Sequence, residues 1–109
     1  MASNQIVDNT TNTLADTIEV IFTAGAKPVV IEAITAANTS TVNAAYSFYI
    51  KSASGAQQPQ VQDKIVVWGE NDLGTGATSQ VIPALGTIST KATAANSIYF
   101  TITGRELDS

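Results

Sequence analysis

The segment from Val42 to Lys51 has the most regular alternation of apolar and polar residues in the chain. Successive side chains of a β-strand point to opposite faces, so every second residue of this segment lies on the same face. One of these faces is apolar and belongs in a protein core. Its residues are Val42, Ala44, Tyr46, Phe48 and Ile50. The segment therefore predicts a strand with one buried face, which needs partner strands to form a stable sheet.

Further strands are predicted wherever alternation or a run of β-branched residues lies between turn signals. They cover residues 17–23, 28–37, 62–68, 78–82, 85–90 and 97–103. In the last of these, Ile98, Phe100 and Ile102 should face inward. A short helix over residues 31–37, which contains three alanines, is an alternative that the β-branched neighbours disfavour. We expect an all-β fold, an antiparallel β-sandwich or jelly roll of seven to eight short strands.

The first 16 residues are polar and rich in turn-forming types, with little to bury beyond Ile6, Val7 and Leu14. We interpret residues 1–16 as an extended N-terminal arm and residues 17–109 as a single sandwich domain. An arm of this kind can reach a neighbouring protein and become ordered on contact. Ile6 and Val7 are therefore candidate contact residues.

The chain is poor in charge, since only 13% of its residues are charged against about 25% in soluble domains. Protein–protein interface cores are depleted in charge, so this composition favours an assembled state, such as a homo-oligomer, over a monomer. The net charge is −4 and the five basic residues are scattered. Nucleic acid and anionic membranes attract clustered Lys and Arg, so neither is an expected partner.

The sequence contains no His and no Cys, so the usual pairs of nucleophile and base cannot form. Glu19 and Glu32, both in predicted strands, are the candidates for a catalytic carboxylate pair, although a carboxylate on a solvent face is far commoner. We expect no enzymatic activity and no cofactor. No apolar run is long enough to span a bilayer, and the polar start lacks the features of a signal peptide, so we expect synthesis in a cytoplasm without export.

The Gly-rich loop over residues 69–76 contains Glu70, Asn71 and Asp72, whose side chains offer oxygen ligands of the kind that Ca²⁺ prefers. Their spacing matches no EF-hand, because the alternating ligands and the terminal Glu are missing. The favoured interpretation is a solvated loop or one that contacts a partner, with no metal.

Three aromatic residues are further candidates for partner contact. Trp68, the lone tryptophan, is expected either to pack at a strand end or to anchor an interface, because Trp is enriched at binding hot spots. Tyr49 and Tyr99 lie on predicted outer faces and allow the same alternatives, or stacking against a carbohydrate.

Residues 17–40 resemble a pattern found in small virion proteins of tailed phages. In that pattern a strand ends in an aromatic residue and Thr, as at Phe22-Thr23, a short turn follows, as at residues 24–27, and an aliphatic strand ends in an Asn-Thr-Ser corner, as at residues 38–40. Residues 94–106 are similar to the closing strand of the same proteins. The family's proline is replaced by Ala in the first turn, and its Gly-Asp turn before the closing strand is missing. The resemblance implies a phage β-sandwich, often trimeric, from the capsid, neck, tail or fibre.

The resemblance and the composition together favour a capsid decoration (cement) protein. Such a protein would sit as a homotrimer on the capsid surface of the virion, bind the phage major capsid protein and be made in the host cytoplasm. The alternative is a neck, tail or fibre component that contacts another virion protein or a host glycan through Tyr49, Tyr99 or the loop from Glu70 to Asp72. An enzyme acting on glycans through Glu19 and Glu32 is the third hypothesis.

Overall fold

The computed structural model describes residues 3–108, which form nine β-strands and no helix. The strands are β1 (Asn4–Thr11), β2 (Glu19–Thr23), β3 (Val29–Asn38), β4 (Ala44–Lys51), β5 (Gln58–Val66), β6 (Asn71–Asp72), β7 (Val81–Ile82), β8 (Thr87–Ala92) and β9 (Ile98–Glu106). Within these residues, no helix is available to cross a bilayer. The prediction of an all-β fold is confirmed.

Two antiparallel sheets pack as a sandwich. The five-stranded sheet has the order β1-β9-β3-β6, and β7 pairs with another part of β3. The four-stranded sheet has the order β2-β8-β4-β5. Consecutive strands therefore often lie in different sheets, and the loops that connect them cross from one sheet to the other at the two ends of the sandwich.

The core lies between the sheets and is filled by the inward faces that the alternation predicts. Tyr46 and Phe48 of β4 and Phe100 of β9 are among its largest buried side chains. The rings of Tyr46 and Phe100 meet edge to face, with centroids 5.4 Å apart. Aromatic pairs in this arrangement stabilise a core by more than the burial of their area alone. The prediction that Val42 faces inward is wrong. Strand β4 begins only at Ala44, and Val42 lies in the preceding corner, where it is 53% exposed.

The N-terminal segment differs from the expected arm. Residues 4–11 form β1, which pairs with β9 along its length. Val7 is only 3% exposed and Ile6 packs against the core. The physical reason is that β3 occupies one side of β9, and β1 satisfies the hydrogen-bonding groups on the other side. Residues 1 and 2 of the expected arm, and residue 109 of the expected domain, lie outside the described residues.

Strand boundaries shift most where polar residues form the ladder. The fourth predicted strand, residues 62–68, is β5, which starts earlier, because Gln58 and Pro59 pair with Ile50 and Tyr49 of β4. Residues 78–82 shorten to β7, and the predicted loop over residues 69–76 contains the two-residue β6. These pairings depend on a partner strand distant in sequence, which local residue types do not reveal.

A buried asparagine at the end of β3 joins the two sheets. The Asn38 side chain amide donates to the carbonyl oxygens of Val42 and Val66, both at 2.9 Å. Its Oδ1 accepts from the backbone N–H and the hydroxyl of Ser40, at 3.0 and 2.7 Å. Asn38 thereby holds the end of β3 in the five-stranded sheet against the corner that precedes β4 and against the end of β5 in the other sheet.

A second buried asparagine, Asn12, also joins the two sheets, directly after the end of β1. The Asn12 side chain exchanges two hydrogen bonds with Thr90 of β8, one to the carbonyl oxygen and one from the hydroxyl, each 2.9 Å long. Its Nδ2 also donates to Oε1 of Glu19 at 3.0 Å. The Glu19 carboxylate further accepts from the N–H and the hydroxyl of Thr13, both at 2.7 Å. The hydrogen bond from the Thr13 hydroxyl is the main reason that the pKa of Glu19 lies below its ordinary value of 4.5.

Replacing Asn38 with Ala should lower the free energy of unfolding by about 2–4 kcal/mol, because it removes the amide donor from the Val42 and Val66 carbonyls in a largely buried site. The Val42 carbonyl has a second donor within reach, the Ser40 hydroxyl at 3.0 Å. Denaturant unfolding followed by circular dichroism measures the change. Asn4→Ala, at an exposed position of β1, is the matched control and should change stability by less than about 0.5 kcal/mol. Equal effects of the two substitutions would contradict the role given to Asn38.

Acid should remove a stabilising contribution of Glu19. A carboxylate whose pKa is lowered on folding stabilises the folded state when ionised, and this contribution disappears as the pH falls through the folded-state pKa. The Tm of the natural chain should therefore exceed that of Glu19→Gln near neutral pH, and the difference should shrink from about pH 5 downward. Thermal unfolding of both chains across this range tests the prediction. A Tm difference that does not vary with pH would refute it.

Candidate docking surface

Four loops meet at one end of the sandwich, and we call this surface the four-loop end. The loops are residues 12–18, 39–43, 67–70 and 93–97, which connect β1 to β2, β3 to β4, β5 to β6 and β8 to β9. They lie together because β9 starts where β1 and β3 end, with Tyr99 opposite Thr11 and Ile98 opposite Asn38.

Hydrogen bonds hold the four loops in one row. Each loop is joined to the next by a backbone N–H that donates across the gap. The donors and acceptors are Asn96 N–H to Asn12 O at 2.8 Å, Thr39 N–H to Ser97 O at 3.0 Å, and Trp68 N–H to Asn43 Oδ1 at 3.1 Å. The surface is therefore built from loops whose backbone positions are fixed by one another and by the buried asparagines.

Exposed apolar side chains concentrate at this end. Leu14, Ile18, Val42, Val67 and Trp68 are large apolar residues of these loops, and all are exposed. Ile65, at the adjacent end of β5, is 66% exposed. Exposed apolar patches on soluble proteins commonly mark interaction sites, which makes this end the candidate docking surface.

Four of these residues belong to neighbouring stretches of backbone, and we name them the Trp68 cluster: Val42, Ile65, Val67 and Trp68. The Asn38 side-chain amide donates hydrogen bonds to the carbonyl oxygens of both Val42 and Val66 and so keeps these two stretches side by side. Ile65 stands opposite Ala45 across the β4–β5 ladder. A shallow hollow of about 280 Å³ lies beside the cluster and is lined by uncharged residues. These are Asn43, Ala44, Ala45, Ile65 and Thr93.

The four loops carry acidic residues but no basic ones. Asp16 and Glu70 are their only charged side chains, and both are exposed. The nearest basic residues along the chain, Lys64 and Lys91, belong to β5 and β8 rather than to the loops. The four loops thus combine exposed apolar side chains with negative charge only.

Trp68 belongs to this surface. Its side chain is 59% exposed, so the prediction that it packs at a strand end is wrong. The reason is that the β5 ladder ends at Val66, and Trp68 lies in the turn that the Glu70 N–H closes by donating to the Val67 carbonyl oxygen at 3.0 Å. The alternative prediction, an interface anchor, is compatible with this exposure. Glu70 and Asn71 are exposed nearby.

Asp72 does not face solvent with its neighbours. Its carboxylate accepts hydrogen bonds from the Tyr46 hydroxyl and, at 3.0 Å, from the backbone N–H of Gly74. Burial, reinforced by the hydrogen bond to Asp72, raises the pKa of Tyr46 well above its ordinary range, so the hydroxyl remains a donor. Over residues 3–108, no three acidic side chains are grouped to hold a metal ion.

The other predicted contact residues are not brought together. Val7 is buried between the sheets and is unavailable to a partner, which corrects its prediction as a contact residue, and Ile6 packs against the same core. Tyr49 and Tyr99 are half-buried and belong to different sheets. Sequence reasoning missed Val42, Ile65 and Val67 because an apolar residue in or beside a predicted strand is normally assigned to the core.

The two candidate catalytic carboxylates belong to different sheets, Glu19 to β2 and Glu32 to β3. Each has its own partners. Glu32 accepts from the Ser3 hydroxyl and forms an ion pair with Arg105 at 3.0 Å. The hydrogen bond from Ser3 is the main cause that lowers the pKa of Glu32. The structure thus provides each carboxylate with a structural role.

The fold is similar to part of a virus protein. A chain in a structure of infectious bursal disease virus, Gx strain, superposes with a TM-score of 0.51 and 9% sequence identity over 94% of this chain. A chain of the VP2 subviral particle of the same virus gives a TM-score of 0.48 and 11% identity over the same share. The chain spans about a third of either protein, since it covers 31% of each. No protein-family model and no curated protein matches the sequence.

Removing the Tyr46 hydroxyl should destabilise the fold. Tyr46→Phe leaves a partly buried Asp72 carboxylate without its side-chain donor, so we expect a loss of about 1–2 kcal/mol in the free energy of unfolding. Tyr49→Phe is the matched control, because Tyr49 is half-buried in the same strand and its hydroxyl bonds to none of the described residues. Unfolding in denaturant compares the two, and an equal loss in both variants would contradict the role of the Asp72 contact.

Proposed function

We propose that the chain is a structural protein of a virus particle, and specifically a capsid decoration protein that binds the assembled head of a phage. The observation that carries this proposal is the four-loop end, where Trp68 and other large apolar side chains are exposed on a rigid surface. A protein whose most distinctive surface exposes large apolar side chains and carries few charges is suited to binding other protein.

Two likenesses support a virion as the setting. Residues 17–106 resemble small virion proteins of tailed phages in their turn and corner motifs. The fold is similar to part of a chain from infectious bursal disease virus, although a shared fold by itself does not carry function. Both likenesses concern structural parts of virus particles.

The proposed mechanism is stabilisation by mass action. A protein that binds the assembled shell and not its separate subunits shifts the equilibrium toward the shell by an amount that grows with its free concentration. A homotrimer would place three such surfaces on one shell and increase the effective affinity through multivalency. This function requires no turnover, and we expect the purified protein to have no enzymatic activity.

The copy number in purified particles tests this proposal. Quantitative mass spectrometry of the virus that encodes the chain should find hundreds of copies per particle, because a decoration protein repeats over the symmetric shell. About a dozen copies or fewer would contradict a decoration role and indicate a neck, tail or fibre component. Absence from purified particles would contradict any virion role.

A further inference from the structure

We infer that the four-loop end binds a protein surface that has an apolar area with Lys or Arg side chains beside it, with Trp68 as the anchor. This inference rests on the proposed function, since it takes the partner to be another virion protein. It adds the chemistry of that partner and the place where it docks.

The apolar part of the argument is the Trp68 cluster. Its four side chains are 41–66% exposed, and the backbone beneath them is held by hydrogen bonds. The buried Asn38 amide holds the carbonyls of Val42 and Val66, and the Trp68 N–H is held by Asn43. A surface fixed in advance loses little conformational entropy on binding, which favours affinity. Trp is the residue type most enriched at binding hot spots.

The charges of the surface determine what should lie beside the partner's apolar area. Asp16 and Glu70 are exposed in the four loops, and these loops contain no Lys or Arg. A partner with basic side chains beside its apolar area would complement both carboxylates. A second copy docked end to end through the same loops would place acidic residues near acidic residues without a compensating cation from either set of loops. The observations therefore favour a different protein over a second copy.

The sheet edges are less suited to binding. The ladders of the edge strands β1, β2 and β5 all contain register shifts. Strand β5 also includes Pro59, which has no N–H to donate. Bulges and prolines at edges are common devices that prevent pairing with another strand. Docking through side chains at the loops is consequently favoured over the addition of a strand.

The direct test deletes the gene of this chain from the virus that encodes it, purifies the resulting particles and measures how tightly the purified chain binds to them. Trp68→Ala and Ile65→Ala should each weaken binding by about 10-fold or more relative to the natural chain. Leu85→Ala is the matched control, because Leu85 is 60% exposed, close to the 59% of Trp68, and lies at the opposite end of the sandwich. Its binding should stay within about 2-fold.

The charge of the partner is tested separately. The double variant Asp16→Asn with Glu70→Gln removes both carboxylates and keeps similar shapes. It should bind about 5-fold more weakly at low ionic strength, and the difference should shrink near about 0.5 M salt. Asp108→Asn, at an exposed position near the opposite end, is the control and should bind as the natural chain does.

The outcomes separate the inference from the proposed function. Failure of the natural chain to bind the gene-deleted particles would overturn both. Binding by the natural chain together with unchanged binding by folded Trp68→Ala and Ile65→Ala would overturn the docking site and leave the proposed function standing. Unchanged or tighter binding by the double variant would overturn the placing of Lys or Arg beside the partner's apolar area. Conversion of an oligomer to a monomer by Trp68→Ala, with particle binding unchanged, would assign the surface to a second copy instead.

Discussion

The side chain of Asn38 is the contact on which the arrangement of the sandwich most depends. A strand that ends inside a protein leaves backbone carbonyls that must find donors or lose free energy. Asn38 supplies those donors for Val42 and Val66 and is itself satisfied by Ser40. Because Val66 ends β5 in the other sheet and Val42 lies in the corner that leads into β4, these hydrogen bonds help to fix how β3 faces β4 and β5. Asn12 and Thr90 make the equivalent connection beside β1.

These inward-facing polar groups explain the character of the outer surface. The buried asparagines, the hydrogen bonds between loops and a few exposed polar side chains such as Asn43 satisfy much of the backbone at this end, so other exposed positions of the loops need no polar side chain. Apolar residues such as Val42, Val67 and Trp68 can then occupy the exposed positions. The cost is a surface that exposes apolar area to water, which a partner would cover. The internal architecture and the proposed docking role are thus connected through the same residues.

The sequence predicts the parts of the fold in which local pattern and burial agree. The alternation in β4 and β9 identifies Tyr46, Phe48 and Phe100 as core residues, and the structure confirms them. It fails for β1, whose polar residues give no sign that a free side of β9 is available to pair with them. Trp68 lies just beyond the last ladder residue of β5, so a shift of two residues in the strand end changes its side chain from packed to exposed. The hydrogen bonds of Asn12 and Asn38 join residues up to 78 positions apart, and no local pattern encodes them.

The accessibility of Trp68 in the free and bound protein tests the central claim most directly. Hydroxyl-radical footprinting with peptide mass spectrometry would compare the oxidation of Trp68 and Leu85 in the purified chain and in the chain bound to virus particles. Both side chains are similarly exposed in the free protein, and docking through the four-loop end predicts strong protection of Trp68 on the particle with little change at Leu85. Equal oxidation of Trp68 in the free and particle-bound states would contradict the account.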